Sequence, residues 1–129
     1  ATLVLVAVNP SKQFKMARDT KRAANVATIL NAVSQNIADH SGSFICQGGI
    51  TDIPDDPTEI SSRENQFNLA ECVVPEYIAG LPYDPKHPSA HYTNESDYDT
   101  QYTIKKDSQG RVTISAMGEL TGSAIEATR

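Results

Sequence analysis

The first 37 residues constrain the fold of this chain more than any other segment. Residues 1–8 are apolar and uncharged, residues 9–11 (Asn-Pro-Ser) interrupt them, and residues 12–22 are basic. An amphipathic segment then continues to Ile37. This order indicates one long helix, of which one end enters an apolar environment while the other packs on a folded domain.

The apolar run is too short for a membrane span, because a helix needs about 20 apolar residues to cross a bilayer. It is not a secretory signal peptide, since the basic region follows it instead of preceding it. Two interpretations stay open: a short buried end, or part of a hydrophobic helix that needs about a dozen more apolar residues upstream. Its large residues, with small alanines between them, suit packing of helix on helix. They are Leu3, Val4, Leu5, Val6 and Val8.

A single apolar stripe predicts a helix over residues 12–37. Its members recur at helical spacing and are expected to pack the helix on a sheet. They are Val26, Ile29, Leu30, Val33 and Ile37. Gly42 is a candidate cap just beyond the helix end. Pro10 has two interpretations, since it could start this helix at its first position or kink a longer one.

Charge is distributed unevenly along the chain. The formal net charge is −5, but residues 12–22 hold five Lys or Arg against one Asp, and the other segments hold six against fifteen Asp or Glu. The basic stretch could contact anionic lipid head groups or the acidic head of a neighbouring subunit, or it could be a solvated helix face. It carries one aromatic residue, Phe14, and we do not expect it to bind nucleic acid.

The rest of the chain favours a small antiparallel sheet. Residues 43–63 and 86–99 are rich in turn-forming and polar residues and predict loops, and residues 66–74 predict a short helix or turn. Strands are predicted at 101–105, 111–117 and 123–128, joined by short turns. The fold class is therefore α+β. We predict an N-terminal helix at 1–40, with a hydrophobic part (1–11) and an amphipathic part (12–40), and a globular head at 41–129.

The two cysteines, Cys46 and Cys72, lack the spacing and the companion histidine of a zinc site. A disulfide between them would close the loop that separates them and would stabilise the head by about 3 kcal/mol. Such a bond implies an oxidising compartment. The alternative is a pair of reduced cysteines.

No catalytic constellation is visible, and we do not expect an enzyme. His87 and His91 share a polar loop and predict solvated side chains. In the same loop the carboxylates of Glu95, Asp97 and Asp99 are weak candidates for calcium ligands, although the pattern is not an EF-hand. A solvated acidic loop is the alternative. Residues 94–96 (Asn-Glu-Ser) also match a glycosylation acceptor. No other cofactor is expected.

Three segments resemble the type IV pilins and the related pseudopilins of type II secretion systems. They are the N-terminal segment that ends at Gly42, the block VVPEYIAGLPYDP, and YTIKKDSQGRVTISA with the terminal IEATR. The Asn-Pro pair and the ARDTKR block after an apolar run carry most of the resemblance. The family's leader, aromatic first mature residue and early glutamate are absent from this sequence.

The resemblance implies a structural subunit that is inserted in the membrane by its hydrophobic helix and then polymerises into a cell-surface filament. Residues 1–8 and Pro10 would form the filament core, and an assembly machine would drive polymerisation. Adhesion, motility and DNA uptake are the functions expected of such a filament. The first alternative is a pseudopilin whose acidic loop binds calcium. The second is a soluble ligand-binding domain that uses Tyr83, Tyr92, Tyr98 and Tyr102.

Overall fold

The computed structural model describes residues 9–129, so residues 1–8 and the packing predicted for them lie outside the described residues. Two helices and seven strands form the described part. In chain order they are α1 (Pro10–Asp39), β1 (Ile45–Cys46), β2 (Gly49–Ile50), β3 (Thr58–Ser61), α2 (Ala70–Val73), β4 (His91–Asn94), β5 (Asp97–Lys106), β6 (Val112–Met117) and β7 (Ala124–Thr128).

Helix α1 begins at Pro10 and contains 30 residues. The Asn9 side chain caps it, because its Oδ1 accepts a hydrogen bond from the backbone N–H of Lys12 at 3.3 Å. Proline suits this first position, since its missing N–H would have no partner within the helix. At the other end, the N–H of Gly42 donates to the carbonyl of Ile37 at 2.9 Å. Gly42 has φ +97°, a conformation that glycine adopts without strain.

The apolar stripe of α1 lies in the core. Val26, Ile29, Leu30 and Val33 are at most 4% exposed, and Ile37 packs against them from a half-buried position. Helix α1 lies across β6 and β7. Because the stripe begins at Val26, it packs the second half of the helix on the sheet.

Strand β5 is the centre of a five-stranded antiparallel sheet. One of its edges pairs with β3, and the other pairs with β4 near the start of β5 and with β6 near its end. Strand β7 pairs with β6, with Ile125 opposite Ala116. One long helix on an antiparallel sheet confirms the predicted α+β class.

Two predicted loops contain strands. The segment 43–63 holds the small hairpin of β1 and β2 and also β3, and the segment 86–99 holds β4 and the start of β5. The loop prediction was wrong there because these strands are short and partly exposed, so they lack an apolar alternation. In β4, Tyr92 is half-buried and the other three residues are exposed.

Candidate functional site

The first three turns of α1 lie outside the hydrophobic core. Every residue from Pro10 to Lys21 is exposed or half-buried. Phe14 is 63% exposed and Met16 is 43% exposed. This surface is available for contact with another molecule, and the sequence had indicated its basic character.

An ion-pair cluster fixes the middle of α1 to two loops of the head. We use this name for Arg18, Asp19, Arg22, Asp84, Lys86 and Glu119. Arg22 is its centre and is only 3% exposed. Its Nε donates to Asp84 Oδ1 at 2.6 Å, and its Nη1 donates to Glu119 Oε2 at 2.5 Å. Nη1 also donates to Asp19 Oδ1, one turn earlier in the helix, at 2.9 Å.

Glu119 connects the cluster to the turn between β6 and β7. Its carboxylate accepts two hydrogen bonds from Arg18, with Nε at 2.5 Å and Nη2 at 2.7 Å. Lys86 approaches the same carboxylate at 3.3 Å. In return, the backbone N–H groups of Glu119 and Leu120 donate to the Asp19 carboxylate. The turn is therefore held twice by α1: arginines bind the Glu119 side chain, and the Asp19 carboxylate binds the backbone N–H groups.

The cluster shifts the pKa values of five of its members in the directions that favour their charged forms: Arg18, Asp19, Arg22, Asp84 and Glu119. Hydrogen bonds from Arg18 hold the pKa of Glu119 far below its usual range. Burial would raise the pKa of Asp84, but hydrogen bonds from Arg22 and two backbone N–H groups outweigh it and lower the pKa. The carboxylate of Asp84 contributes most to raising the pKa of Arg22. These five groups are charged at neutral pH.

The basic stretch is therefore not uniformly available to a partner. Arg18 and Arg22 are neutralised by carboxylates of their own chain, whereas Lys12, Lys15 and Lys21 form no ion pair with any residue in 9–129. We predicted that the five basic residues of this stretch form one solvated helix face or one surface for lipid head groups. That prediction was wrong for the two arginines. Their partners are distant in sequence, and no local pattern indicates them.

The predicted disulfide is present. Cys46 and Cys72 are bonded and join β1 to α2. The buried side chain of Asn36 reinforces the same junction: its Nδ2 donates to the carbonyls of Ile45 at 2.8 Å and Cys72 at 3.0 Å. Its Oδ1 accepts from the N–H of Ile45 at 3.0 Å. Asn36 thus ties both sides of the disulfide to α1, a role that the sequence did not indicate.

The candidate calcium ligands do not converge. Asp99 is 2% exposed and its carboxylate accepts from Gln101 at 2.9 Å, with Arg63 at 3.0 Å. Asp97 is exposed and pairs with His91 at 2.8 Å, and Glu95 lies in the turn between β4 and β5. Across residues 9–129 no group of three or more His, Cys, Asp or Glu is placed to hold a metal ion. The three carboxylates are separated because Asp97 pairs with His91, Asp99 is buried beside Arg63, and Glu95 lies in the turn before the strand.

Asp99 belongs instead to a carboxyl pair with Glu59. Burial and the neighbouring Asp99 raise the pKa of Glu59, although Arg63 opposes them. Arg63 Nη2 bridges the pair, donating to Glu59 Oε1 at 2.5 Å and lying 3.0 Å from Asp99 Oδ2. The pair joins β3 to β5 at an irregularity in the register between Glu59 and Ser61. The pair therefore lies at a distorted strand edge, where Arg63 offsets its negative charge.

The four tyrosines considered for ligand binding do not form a binding surface. Tyr98 and Tyr102 are at most 1% exposed and belong to the core. Tyr98 Oη donates to Asn68 at 2.7 Å, and Tyr102 Oη accepts from Asn25 at 2.8 Å. Tyr92 packs against the Tyr98 ring at a centroid distance of 5.7 Å. Tyr83 is the exposed member, at 43%.

Two of the clefts on residues 9–129 lie beside β4 and beside the disulfide. One of about 500 Å³ is open and is lined by Val74, Tyr92 and Asn94, among others. One of about 350 Å³ lies beside the disulfide, between His40, Glu71 and Glu76. The His40 ring nitrogen Nδ1 lies 2.6 Å from the Asn36 carbonyl, and His87 is exposed on a loop.

Comparison with known proteins found no relative of this chain. No family model, curated protein or solved structure matches this chain. Among the described residues, no helix is both long enough and apolar enough to cross a membrane.

Proposed function

We propose that this chain is the structural subunit of a cell-surface filament of the type IV pilin class, which polymerises through its N-terminal helix. The observation that carries the proposal is the division of α1. Its second half packs on the sheet through Val26, Ile29 and Val33, while its first three turns lie outside the core. A helix built this way has one end for the head and one end for neighbouring subunits.

Three further features support this function. The sheet is antiparallel and lies on one side of α1, so the other side of the helix is free for contact. The disulfide suits a protein exposed to an oxidising exterior. The ion-pair cluster fixes the helix to the head at Arg22, the boundary between the packed and the free part. A filament subunit under load needs such an attachment.

Electron microscopy of the whole gene product tests the proposal. Expressed in a bacterium that assembles type IV pili, the protein is expected to form helical filaments at the cell surface. The matched variant replaces Leu5 and Val6 by Asp, which places charge in the predicted filament core, and it should abolish filaments while the head still folds. A protein that folds and inserts in the membrane but yields no polymer under assembly conditions contradicts the proposal.

A further inference from the structure

His91, the first residue of β4, has a hydrogen-bond acceptor beside each of its two ring nitrogens. Its Nδ1 lies 2.8 Å from the carbonyl oxygen of Ser89, and its Nε2 lies 2.8 Å from Oδ1 of Asp97. A neutral imidazole carries one N–H, so it can donate to one of these acceptors but not to both. The imidazolium form carries two N–H groups and satisfies both acceptors at once.

The charges of the two side chains support the same arrangement. The hydrogen bond to the Ser89 carbonyl raises the pKa of His91, and the carboxylate of Asp97 raises it further. The hydrogen bond from His91 in turn lowers the pKa of Asp97. The two side chains are 47% and 60% exposed, so both exchange protons with the solvent. This contact therefore responds to the pH of the medium.

The other titratable groups around His91 come from β3, β5 and the turn between β4 and β5. Asp99 lies opposite His91 in the strand register, and its negative charge also raises the pKa of His91. Glu59 and Arg63 both contact the Asp99 carboxylate, and Arg63, at 3.0 Å, offsets part of its charge. Glu95 lies in the turn. The surroundings of His91 thus favour its protonated form.

The loop before β4 belongs to the same series of contacts. The N–H of Ser89 donates to Nδ1 of His87 at 3.1 Å, so that nitrogen accepts and carries no proton. The rings of the two histidines therefore have opposite roles, since His87 accepts a hydrogen bond and His91 donates two. Protonated His91 completes a series of hydrogen bonds that runs from His87 through Ser89 to Asp97 at the start of β5.

Strand β4 places Tyr92 on the core of the head. The Tyr92 ring packs on Tyr98, which is 1% exposed, at a centroid distance of 5.7 Å. Tyr92 also lies close over Gly80, where an added Cβ would be 3.0 Å from the ring. The pairing of β4 with β5 is irregular between Tyr92 and Asn94. A contact at the neighbouring His91 therefore helps to keep Tyr92 packed.

We propose that the doubly protonated ring of His91 is a latch that holds β4 on β5, and that β4 loosens when the ring loses one proton to the solvent. The neutral ring leaves either the Ser89 carbonyl or the Asp97 carboxylate without its donor. The bridge from the loop before β4 to the first residue of β5 is then broken. The latch belongs to the head alone, so it does not depend on filament assembly.

The latch works within a pH window that has two limits. A histidine with a raised folded-state pKa contributes its full stability below its unfolded pKa, about 6.5, and loses it as pH rises through the folded pKa. An aspartate with a lowered folded-state pKa contributes above its unfolded pKa, about 4, and loses it as pH falls through the folded pKa. Strand β4 is therefore held most firmly between about pH 4 and pH 6.5 and loosens at alkaline pH.

NMR spectroscopy of the histidine rings in the 129-residue chain tests the protonation state. Long-range ¹H–¹⁵N spectra at about pH 5.5 should show protons on both nitrogens of His91, and the titration midpoint of His91 should lie above about 6.5. Asp97→Asn should lower this midpoint. The matched control, Glu95→Gln, removes a charge from the same hairpin and should move the midpoint less. A midpoint at or below about 6.5, or equal midpoints in the two variants, would overturn the inference.

Amide hydrogen exchange tests whether the strand follows the ring. Between about pH 5.5 and pH 8.5, protection factors in β4 should fall about two- to fivefold relative to those in β6, which is the range expected for an exposed ion pair. His91→Lys keeps its positive charge and should retain high protection at both pH values. His91→Gln has no charge and should show low protection at both. Protection in β4 that does not change with pH, or that falls equally in the native chain and in His91→Gln, would overturn the inference.

Discussion

The guanidinium group of Arg22 donates to the carboxylate of Asp84 at 2.6 Å and joins the middle of α1 to a loop that precedes β4. The same group reaches Glu119 in the turn between β6 and β7. One buried cation thus connects three segments that are far apart in the sequence.

Removing the Arg22 charge should be strongly destabilising. Its side chain is 4% exposed, and Arg22→Ala would leave Asp84 without its buried partner. Breaking a buried ion pair from one side costs about 3–5 kcal/mol, and we expect a loss of that size in the free energy of unfolding. Urea titration measures it. Lys21→Ala, at the exposed neighbouring position, is the control and should change the free energy by less than about 0.5 kcal/mol.

Stability should fall in acid because the cluster lowers the pKa values of Glu119, Asp84 and Asp19. A carboxylate with a lowered folded-state pKa contributes stability above its unfolded pKa, about 4, and loses it as pH falls further. The melting temperature should therefore drop between about pH 5 and pH 2. Glu119→Gln should reduce this slope, whereas Glu126→Gln, at an exposed position on β7, should not. Equal slopes for both variants would contradict the assignment.

Reduction of the disulfide should destabilise the head without unfolding α1. The bond closes a separation of 26 residues, for which chain entropy predicts a contribution of about 3 kcal/mol. Unfolding in urea with and without a reducing agent measures it, and replacing Cys46 and Cys72 by Ser should reproduce the reduced value. The double variant should be insensitive to the reductant. No difference between the two forms of the native chain would contradict the prediction.

Asn36 should contribute about as much to the free energy of unfolding as the neighbouring disulfide does. Asn36→Ala removes three hydrogen bonds to the backbone at the β1–α2 junction and leaves buried groups unpaired. At about 1 kcal/mol for each bond, the free energy of unfolding should fall by about 3 kcal/mol. Gln35→Ala, on the exposed face of the same turn, is the control. Hydrogen exchange at the N–H of Ile45 should accelerate in Asn36→Ala alone.

Gly118 should not tolerate a side chain. A Cβ added there would lie 2.8 Å from the carbonyl oxygen of Ser123, so the turn that carries Glu119 would have to move. We expect Gly118→Ala to lower the free energy of unfolding by about 1–3 kcal/mol. At Gly49 an added Cβ meets a backbone oxygen at 3.9 Å, so Gly49→Ala is a control with ordinary contact. If the two variants unfold at the same urea concentration, the close approach at Gly118 does not limit the turn.

The sequence was most informative where burial repeats along a regular element. The stripe from Val26 to Val33 predicts α1 because a buried helix face repeats every three to four residues. Near the end of strand β6, more buried and more exposed positions alternate, which is the pattern of a strand with one face on the core. Asn9 and Pro10 start the helix by chemistry that is local to the chain.

The sequence was least informative where a partner comes from a distant segment. Asp84 and Glu119 lie in loops and look like ordinary surface carboxylates, and only the folded chain brings them to Arg22. Strand β3 pairs with the edge of β5, although the segment around β3 is rich in proline and aspartate and has no strand pattern of its own. Asp99 looked like a surface ligand but is 2% exposed and lies beside Arg63, a partner from a distant segment.

Glu119 holds Arg18 and Arg22 at the same time, and these two residues are one helical turn apart. Two attachments on one face prevent α1 from rotating about its axis or sliding along it. The direction in which Phe14 leaves the helix is therefore set by a glutamate near the other end of the chain. A turn in the head thus determines the angular orientation of the helix surface that is free for contact.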